Sequence, residues 1–189
     1  MAFLSKKQLK QMEFKYLGSN VLISDKASVY NCKNISIGDN SRIDDFCIIS
    51  SGDGEIEIGK YVHIACFSSL IGKETIVMED FSGLSSRVSI YSSSDDYSGN
   101  YLTNPTVPEK YCNVVHKPVS LKKHVIIGTG SVILPGVTIG EGTAIGALSL
   151  VNKNCKPNMI YSGIPAKLVT KRNIEIYKLE EILLSENDD

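Results

Sequence analysis

Aliphatic residues recur at every sixth position between residues 121 and 156. They are Leu121, Ile127, Ile133, Ile139, Ile145 and Val151. Four positions after each stands a small or β-branched residue: Val125, Ser131, Val137, Thr143, Ser149 and Cys155. Side chains alternate along a strand, so both positions of each six-residue unit, or sextet, point to the same side. This fixed period predicts a parallel β-helix, in which three sextets close one coil of about 18 residues.

The same period is less regular in the N-terminal half of the chain. Further sextets are predicted to begin at Ile37, Ile43, Ile58, Ile64 and, after a shift of frame, Val77. Cys47 takes a small inward position, and residues 50–55 form an outward loop. Gly, Asp and Asn near the bends are expected to supply positive φ angles. The β-helix is therefore predicted to span residues 20–160, interrupted by a long loop at residues 91–118.

Short helices are predicted at both ends of the β-helix. Residues 1–19 are predicted to form a helical cap that begins with a capping box between Ser5 and Gln8. Residues 161–189 are predicted to form a tail and a helix, the helix covering residues 173–184. Its apolar positions at helical spacing are Ile176, Leu179 and Leu183. Caps of this kind would cover the unpaired backbone groups at the open ends of the coil.

The loop at residues 91–118 contains no repeat. It holds four of the nine tyrosines, the pair Asp95–Asp96 and His116. Loops this long in a compact fold are usually functional or disordered, and this one is too aromatic for a disordered linker. We therefore expect an ordered arm that builds a site. The alternative is an arm that only wraps a neighbouring subunit.

Composition narrows the function classes. The chain has 189 residues and a formal net charge of −1, so no overall basic surface suggests nucleic acid as a partner. No apolar run reaches the length of a membrane span, and the first ten residues lack the apolar core of a signal peptide. The five cysteines include no C-x-x-C pair. These features favour buried free thiols in a reducing, cytoplasmic compartment.

The tandem [IVL]-G-x-x-[STV]-x units, followed by Gly163-Ile164-Pro165-Ala166-Lys167, resemble the hexapeptide-repeat sugar acyltransferases. The resemblance covers about residues 20–172. It implies an all-β fold, a left-handed parallel β-helix with the long loop and short terminal helices described above. It also implies a homotrimer with its sites between neighbouring subunits and acetyl-CoA as co-substrate, with no metal.

The resemblance also implies where coenzyme A would lie. The positions that match the family's cofactor-binding residues are Thr129, Ala147, Asn152, Lys153, Lys167 and Lys171, with Arg172 after them. The cations suit phosphate groups. A backbone N–H near Gly146 or Ala147 is expected to stabilise the charge on the thioester oxygen. The alternatives are plain repeat packing for Thr129 and Ala147 and a solvated tail for the basic residues.

One departure from the family pattern concerns the catalytic group. Many sugar O-acetyltransferases of this class carry a His at the start of the long loop, where this chain has Asp95 or Asp96. An aspartate is a poor base for an alcohol, but it can hold and orient an amine. His116, at the end of the loop, is a further catalytic candidate, whereas His63 and His124 fall in the repeat and are expected to be structural. The alternative for the Asp pair is an Asx-type turn before Gly99.

These observations favour N-acylation of an amino sugar on a nucleotide carrier, for a surface polysaccharide such as O-antigen. Tyr97, Tyr101 and Tyr111 are expected to stack on the sugar or the base. The first alternative is an O-acetyltransferase that acts on a sugar hydroxyl, as galactoside and maltose acetyltransferases do, with His116 or an Asp-bound water as base. A second alternative is a metal-dependent hydro-lyase, which would need three His ligands. A third is a non-catalytic scaffold, which would need no loop of this kind.

Overall fold

Short strands form three sheets in the computed structural model, which describes residues 2–186; they are parallel apart from the last strand of the second sheet, which is antiparallel to its neighbour. Face one contains β1 (Tyr16–Leu17), β4 (Ile35–Ile37), β7 (Ile56–Ile58), β10 (Ile76–Met78), β15 (Val119–Leu121) and β18 (Thr138–Ile139). Face two contains β2 (Leu22–Ile23), β5 (Arg42–Ile43), β8 (His63–Ile64), β11 (Gly83–Leu84), β16 (Ile126–Ile127), β19 (Ala144–Ile145), β21 (Met159–Ser162) and β22 (Lys167–Lys171). Face three contains β3 (Ser28–Tyr30), β6 (Ile48–Ser51), β9 (Ser69–Gly72), β12 (Ser89–Tyr91), β17 (Val132–Ile133) and β20 (Leu150–Val151).

The chain visits faces one, two and three in turn, and this path builds the predicted left-handed parallel β-helix. We call the bends between faces one and two the first corner, those between faces two and three the second, and those between faces three and one the third. Two further strands, β13 (Ser93–Ser94) and β14 (Val115–His116), form an antiparallel pair in the long loop. Short 3-10 helices cover Cys32–Asn34 and Glu109–Tyr111.

The inward positions of the coils form one continuous apolar column. All six aliphatic positions of the C-terminal sextets are buried, and so are the six small or β-branched positions that follow them. Parallel pairing stacks each inward residue on its counterpart one coil away, as Ile127 stacks on Leu84 and Ile145 on Ile127. The predicted period is thus confirmed over residues 121–156.

The frame predicted around Val77 is wrong by one residue. Met78 is fully buried, whereas Val77 lies between Glu57 and Ser120 on the outside of face one. Strand β10 pairs with β7 in a register that places Met78 beside Ile58. Because side chains alternate along a strand, that register turns Val77 outward.

The N-terminal helix is much shorter than the predicted cap. Helix α1 covers only Lys6–Gln11 and begins with the predicted capping box, in which the Gln8 N–H donates to Ser5 Oγ at 3.3 Å. The chain then turns at Glu13, whose φ is 53°, and enters β1. Strand β1 pairs with β4, so the coil already begins at Tyr16. Residues 12–19 are therefore not helical, because backbone pairing with the next coil competes successfully with the helix.

Bulky residues occupy corner positions with left-handed backbone angles. At the first corner Tyr61, Phe81 and His124 have φ values of 55°, 57° and 60°. Their rings stack at centroid distances of 4.8 Å and 5.2 Å. A non-glycine residue in this region is strained, and stacking between coils offsets part of that cost. The sequence analysis expected only Gly, Asp and Asn at such bends.

Helix α2 (Glu175–Glu186) lies outside face two and agrees closely with the predicted helix over residues 173–184. The buried Glu180 carboxylate accepts hydrogen bonds from Lys123 at 2.5 Å and from His124 at 2.7 Å. Tyr177 packs edge-on against His124. These contacts hold the helix to the first corner. Residues 187–189 of the predicted C-terminal segment lie outside the described part of the chain.

We expect Glu180→Gln to loosen helix α2 at neutral pH. Burial raises the pKa of the Glu180 carboxyl, but hydrogen bonds from Lys123 and His124 outweigh that effect and lower the pKa below its usual value. A lowered pKa in the folded state stabilises the protein above the unfolded pKa, and this stabilisation disappears as the pH falls through the folded value. Chemical denaturation should give a loss of about 1–3 kcal/mol at neutral pH.

The difference between the wild type and Glu180→Gln should shrink as the pH falls below about 4. Glu181→Gln is the matched control, because Glu181 is an exposed neighbour on the same helix. An equal loss in both variants, or a loss that does not depend on pH, would contradict the role of Glu180 as the buried anchor.

Candidate functional site

The long loop forms an ordered arm at the third corner. It leaves face three after β12 and rejoins face one at β15. Its base is the antiparallel pair β13–β14, in which Ser93 lies opposite His116. Farther out, Leu102 forms an isolated bridge with Cys112. These contacts give the arm a fixed path away from the coil.

The two aspartates of the arm have different environments. Asp96 accepts hydrogen bonds from the Ser98 N–H at 2.7 Å and from Asn113 Nδ2 at 3.1 Å. The hydrogen bonds from the Ser98 hydroxyl and backbone, with that from Asn113, lower the pKa of Asp96. Asp96 thus closes an Asx-type turn before Gly99, the alternative considered in the sequence analysis. The half-buried Asp95 carboxylate has no hydrogen-bond partner among residues 2–186, which leaves it free to bind a ligand.

The other predicted residues of the arm are exposed. His116 lies at the base, where its Nδ1 is 2.8 Å from Ser93 Oγ. The rings of Tyr97, Tyr101 and Tyr111 are exposed, Tyr97 to 92%. The Lys110 ammonium lies 4.8 Å from the centroid of the Tyr111 ring, and no ring of the described chain stacks on these three tyrosines.

Three predicted coenzyme A positions lie together at the second corner. Thr129 follows β16 and its Oγ1 donates to the Ser86 carbonyl at 2.6 Å, while Gly146 and Ala147 follow β19 one coil away. A Cβ on Gly146 would approach Ser162 Oγ to 2.7 Å, so close stacking of the coils requires glycine there. The Gly146 N–H already donates to the Tyr161 carbonyl at 2.8 Å. Ala147 is an exposed residue whose N–H has no acceptor in the described chain, so it is the better oxyanion donor of the two.

The remaining coenzyme A positions lie elsewhere. Asn152 and Lys153 follow β20 at the third corner, whereas Lys167 and Lys171 are exposed on β22, beyond the cis Ile164–Pro165 bond. Arg172 instead donates from Nη1 to the carbonyls of His124 and Gly142, so it is a structural residue that joins the tail to the coil.

A single chain therefore does not bring all predicted site residues together. Asp95 lies on the arm at the third corner, and Thr129 and Ala147 lie at the second corner. Face three separates these two corners.

A cavity of about 680 Å³ lies between face two and helix α2. Its volume is within the range of small-molecule sites. His63, Gly83 and Ile126 line it from the outward column of face two, Ser85 and Ser86 from the second corner, and Leu179 from the helix. Of the residues predicted to bind or react with a substrate, only Arg172 lines this cavity among the described residues.

His63 is part of a charged cluster that the sequence analysis took as structural. Its Nε2 is 2.9 Å from Asp44 Oδ2, and Arg42 Nε donates to the other oxygen of the same carboxylate at 2.6 Å. The Asp44 side chain is only 9% exposed, while that of His63 is 52% exposed at the cavity. The half-buried Ser85 hydroxyl also lines the cavity and has no hydrogen-bond partner in the described residues. The register that pairs Arg42 with His63 on neighbouring strands brings this cluster together.

Two further structural findings bear on function. Within residues 2–186, no three side chains of His, Cys, Asp or Glu gather in an arrangement that could hold a metal ion. Neither described helix has the length and apolar character required to cross a membrane.

Comparison with known proteins places these features in context. Residues 118–153 match the family model described as bacterial transferase hexapeptide (six repeats). The chain is 53% identical to a dTDP-4-amino-4,6-dideoxy-D-glucose acyltransferase of Escherichia coli over 96% of this chain and 95% of that protein. A galactoside O-acetyltransferase of the same species is 41% identical over only 30% of this chain and 28% of its own length.

A solved structure has the same fold over nearly the whole chain. AntD is an N-acyltransferase from Bacillus cereus, solved in complex with dTDP and 3-hydroxybutyryl-CoA. It superimposes with a TM-score of 0.94 at 47% identity and covers 99% of this chain and 98% of its own.

The different environments of the two aspartates predict different effects on the arm. Asp96→Ala should increase hydrogen–deuterium exchange in residues 93–116 by about three- to tenfold, because the Ser98 and Asn113 contacts are lost. Asp95→Ala, the matched control, should leave exchange unchanged, since no described residue depends on that carboxylate. Equal exchange in both variants would show that the Asx turn does not order the arm.

Proposed function

The chain belongs to the hexapeptide-repeat acyltransferase family, and we propose that it transfers an acyl group from acyl-CoA to a dTDP-linked 4-amino-4,6-dideoxyhexose. The enzyme class follows from the similarity to the Escherichia coli acyltransferase over almost the full length of both chains. The acceptor comes from that relative's substrate and from the AntD complex that holds dTDP-4-amino-4,6-dideoxyglucose together with coenzyme A.

The free Asp95 carboxylate is the observation that carries this proposal. It stands on an ordered arm where O-acetyltransferases of the family carry a His, and no described residue occupies it. A carboxylate holds an ammonium or amine by a charge-assisted hydrogen bond and orients the nitrogen. AntD variants have been solved in which one serine is replaced. Other AntD variants have been solved in which an aspartate ten positions later in that chain is replaced. Ser85 and Asp95 have that spacing here, as do Ser86 and Asp96.

We place the active site between two copies of the chain in a homotrimer. The second corner of one copy supplies Ser85, Thr129 and Ala147, and the arm of its neighbour supplies Asp95. The separation of these residues within one chain supports this arrangement, because a head-to-tail ring lets the third corner of each copy meet the second corner of the next. The exposed Tyr97, Tyr101 and Tyr111 rings would then face the nucleotide or sugar held between the copies.

The reaction joins the amine to the acyl carbon. The neutral amino nitrogen attacks the thioester carbonyl, the C–N bond forms, and the C–S bond breaks with release of coenzyme A. Negative charge collects on the carbonyl oxygen in the tetrahedral intermediate, where the unpaired Ala147 N–H can donate a hydrogen bond. The nitrogen loses one of its two protons as the amide forms, and the departing thiolate accepts it.

Coenzyme A would lie along the C-terminal coils. Thr129, Gly146 and Ala147 offer a surface of small residues for the pantetheine chain. The remaining contacts in this proposal come from Asn152, Lys153, Lys167 and Lys171. The exposed lysines can neutralise phosphate charge without desolvation of a buried ion. Both proposed substrates are cytoplasmic metabolites, so we place the enzyme in the cytoplasm, where it would supply an acylated sugar for a surface polysaccharide.

Asp95→Asn should lower kcat for the amino sugar by about 100-fold or more, because the neutral amide no longer holds the ammonium. Calorimetric titration should give the same affinity for coenzyme A in both proteins. Asp53→Asn is the matched control, since Asp53 is an exposed aspartate in a different loop.

The same assay tests the O-acetyltransferase alternative. The wild type should acylate the 4-amino sugar nucleotide and not its 4-hydroxy counterpart. Turnover of the hydroxyl substrate alone would overturn the proposal and favour His116 as a base. Unchanged turnover in Asp95→Asn would remove Asp95 from the chemistry.

A further inference from the structure

We propose that the cavity on face two is the subsite for the acceptor hexose, and that His63, held by Asp44, takes the first proton from its ammonium group. This inference rests on the proposed function. It answers a chemical need, because the proposed role of Asp95 is to orient the ammonium group and leaves its deprotonation to another residue. Histidine is the side chain that most often acts as a general base near neutral pH.

Gly83 provides the first evidence for an occupant. Its backbone angles are ordinary, and a Cβ added there would meet only the His63 carbonyl oxygen, at 3.8 Å. In contrast, a Cβ on Gly128 would lie 2.4 Å from the Ala147 nitrogen, so packing requires glycine at that position. Neither packing nor backbone strain requires a glycine at position 83. What the glycine provides is a notch in the outward column between His63 and Ile126, open to the cavity.

The arrangement of His63 is that of a residue prepared to accept a proton. Its Nε2 hydrogen-bonds to the nearly buried Asp44 carboxylate, which fixes Nε2 as the donor and leaves Nδ1 as the basic nitrogen. No residue in the described part of the chain hydrogen-bonds Nδ1. Arg42 holds the second oxygen of the same carboxylate, so Asp44 is fixed from two sides.

The lining of the cavity suits a deoxyhexose. His63 and the unpaired Ser85 hydroxyl supply polar groups on one side. Ile126 on face two and Leu179 on helix α2 supply apolar surface, as does Ile176. A 4-amino-4,6-dideoxyhexose has an amine and hydroxyl groups to bind the polar side and a methyl group to pack on the apolar side. A site of mostly apolar walls with a few placed polar groups is typical for a small ligand.

The cavity adjoins the expected path of coenzyme A. Ser86 lines the cavity, and its carbonyl accepts the hydrogen bond from Thr129 at the second corner. A pantetheine chain that passes Ala147 and Thr129 therefore reaches Ser86, where its thioester would meet a sugar held in the cavity. Ser85 lies beside this junction.

Every proton in the proposed reaction has a donor and an acceptor. The ammonium gives one proton to His63 Nδ1, and the neutral amine attacks the thioester carbon. The second nitrogen proton goes to the coenzyme A thiolate as the C–S bond breaks. His63 then releases its proton to water, so one amide, one thiol and one free proton result.

Other charged and titratable groups lie around His63 and bear on its pH dependence. Arg42 pairs with His63 on the neighbouring strand, and both Arg42 and His63 contact the Asp44 carboxylate. Tyr61, His124, Arg172 and Glu180 lie toward the first corner and the helix, where His124 and Glu180 are hydrogen-bonded to each other and Arg172 to backbone carbonyls. Of the two histidines that line the cavity, the His63 side chain is 52% exposed and that of His124 only 9%, so His63 is the one that a ligand can reach.

The pH profile of His63→Gln tests the proton-transfer role. The variant should lose kcat in step with the protonated fraction of the amine, about tenfold one pH unit below the amine pKa and about 100-fold two units below it. The loss should become small as the pH rises past that value, about 8 for a similar amine, because the acceptor then arrives neutral. A merely structural role would lower activity by the same factor at every pH. Asp44→Asn should give the same pH-dependent pattern in a weaker form.

Gly83→Ala tests the subsite. The added methyl meets no close contact, so thermal unfolding should match the wild type, while KM for the acceptor should rise about tenfold or more and coenzyme A affinity should not change. Ser120→Thr is the control, because it adds a methyl at an outward strand position on face one. An unchanged acceptor KM in Gly83→Ala would overturn the assignment of the cavity.

Mixed trimers separate the failure of this inference from failure of the proposed function. His63→Gln and Asp95→Asn chains, each weakly active alone, should regain up to about a quarter of wild-type activity when co-assembled, since some sites receive both native residues. If wild type acylates the amino sugar and His63→Gln keeps its pH profile, only the inference fails. If wild type does not acylate the amino sugar, the proposed function itself fails.

Discussion

The vertical register between coils is the constraint on which this structure depends. Parallel pairing places each inward aliphatic side chain on its counterpart in the next coil, and the buried column excludes water along the whole axis. A shift by one residue would turn a whole strand inside out, so the register admits no slippage. Strand β10 keeps this register because Met78, and not Val77, is its inward residue.

Fixing the inward positions leaves the outward positions free for chemistry. Residues far apart in sequence become neighbours in a column, as Arg42, His63, Gly83 and Ile126 do on face two. Helix α2 covers that column and converts a flat sheet surface into a cavity. The buried Glu180 anchor therefore has a consequence beyond stability, because it holds one wall of the cavity in place.

The corners divide the proposed catalytic machinery. The long arm emerges at the third corner, whereas the small residues expected to contact pantetheine lie at the second. This separation follows from the triangular section of the coil and cannot be removed by a local movement. The proposed assembly with a neighbouring copy would bring both groups to one substrate and would give the exposed tyrosines of the arm a surface to contact.

The sequence alone determined the fold, because a hexapeptide period has few other structural solutions. It also predicted helix α2, the capping box at Ser5 and the interruption at the long loop, each of which depends on local signals. It did not reveal that Tyr16 already pairs in the coil, or that stacked rings replace glycine at the first corner. Those features arise from contacts between coils.

In the candidate site, too, some features were predicted from the sequence and others came only from contacts in the tertiary structure. The sequence showed that the pair Asp95–Asp96 departs from the family pattern. Only the tertiary structure showed that the Asp96 carboxylate closes a turn while the Asp95 carboxylate has no hydrogen-bond partner in the described chain. His63 appeared structural in the sequence because Asp44 lies 19 residues away and Gly83 lies on the next coil. The sequence determined which side chains are available. The stacking of coils decided which of them meet, because hydrogen bonds between strands, not adjacency along the chain, set their distances.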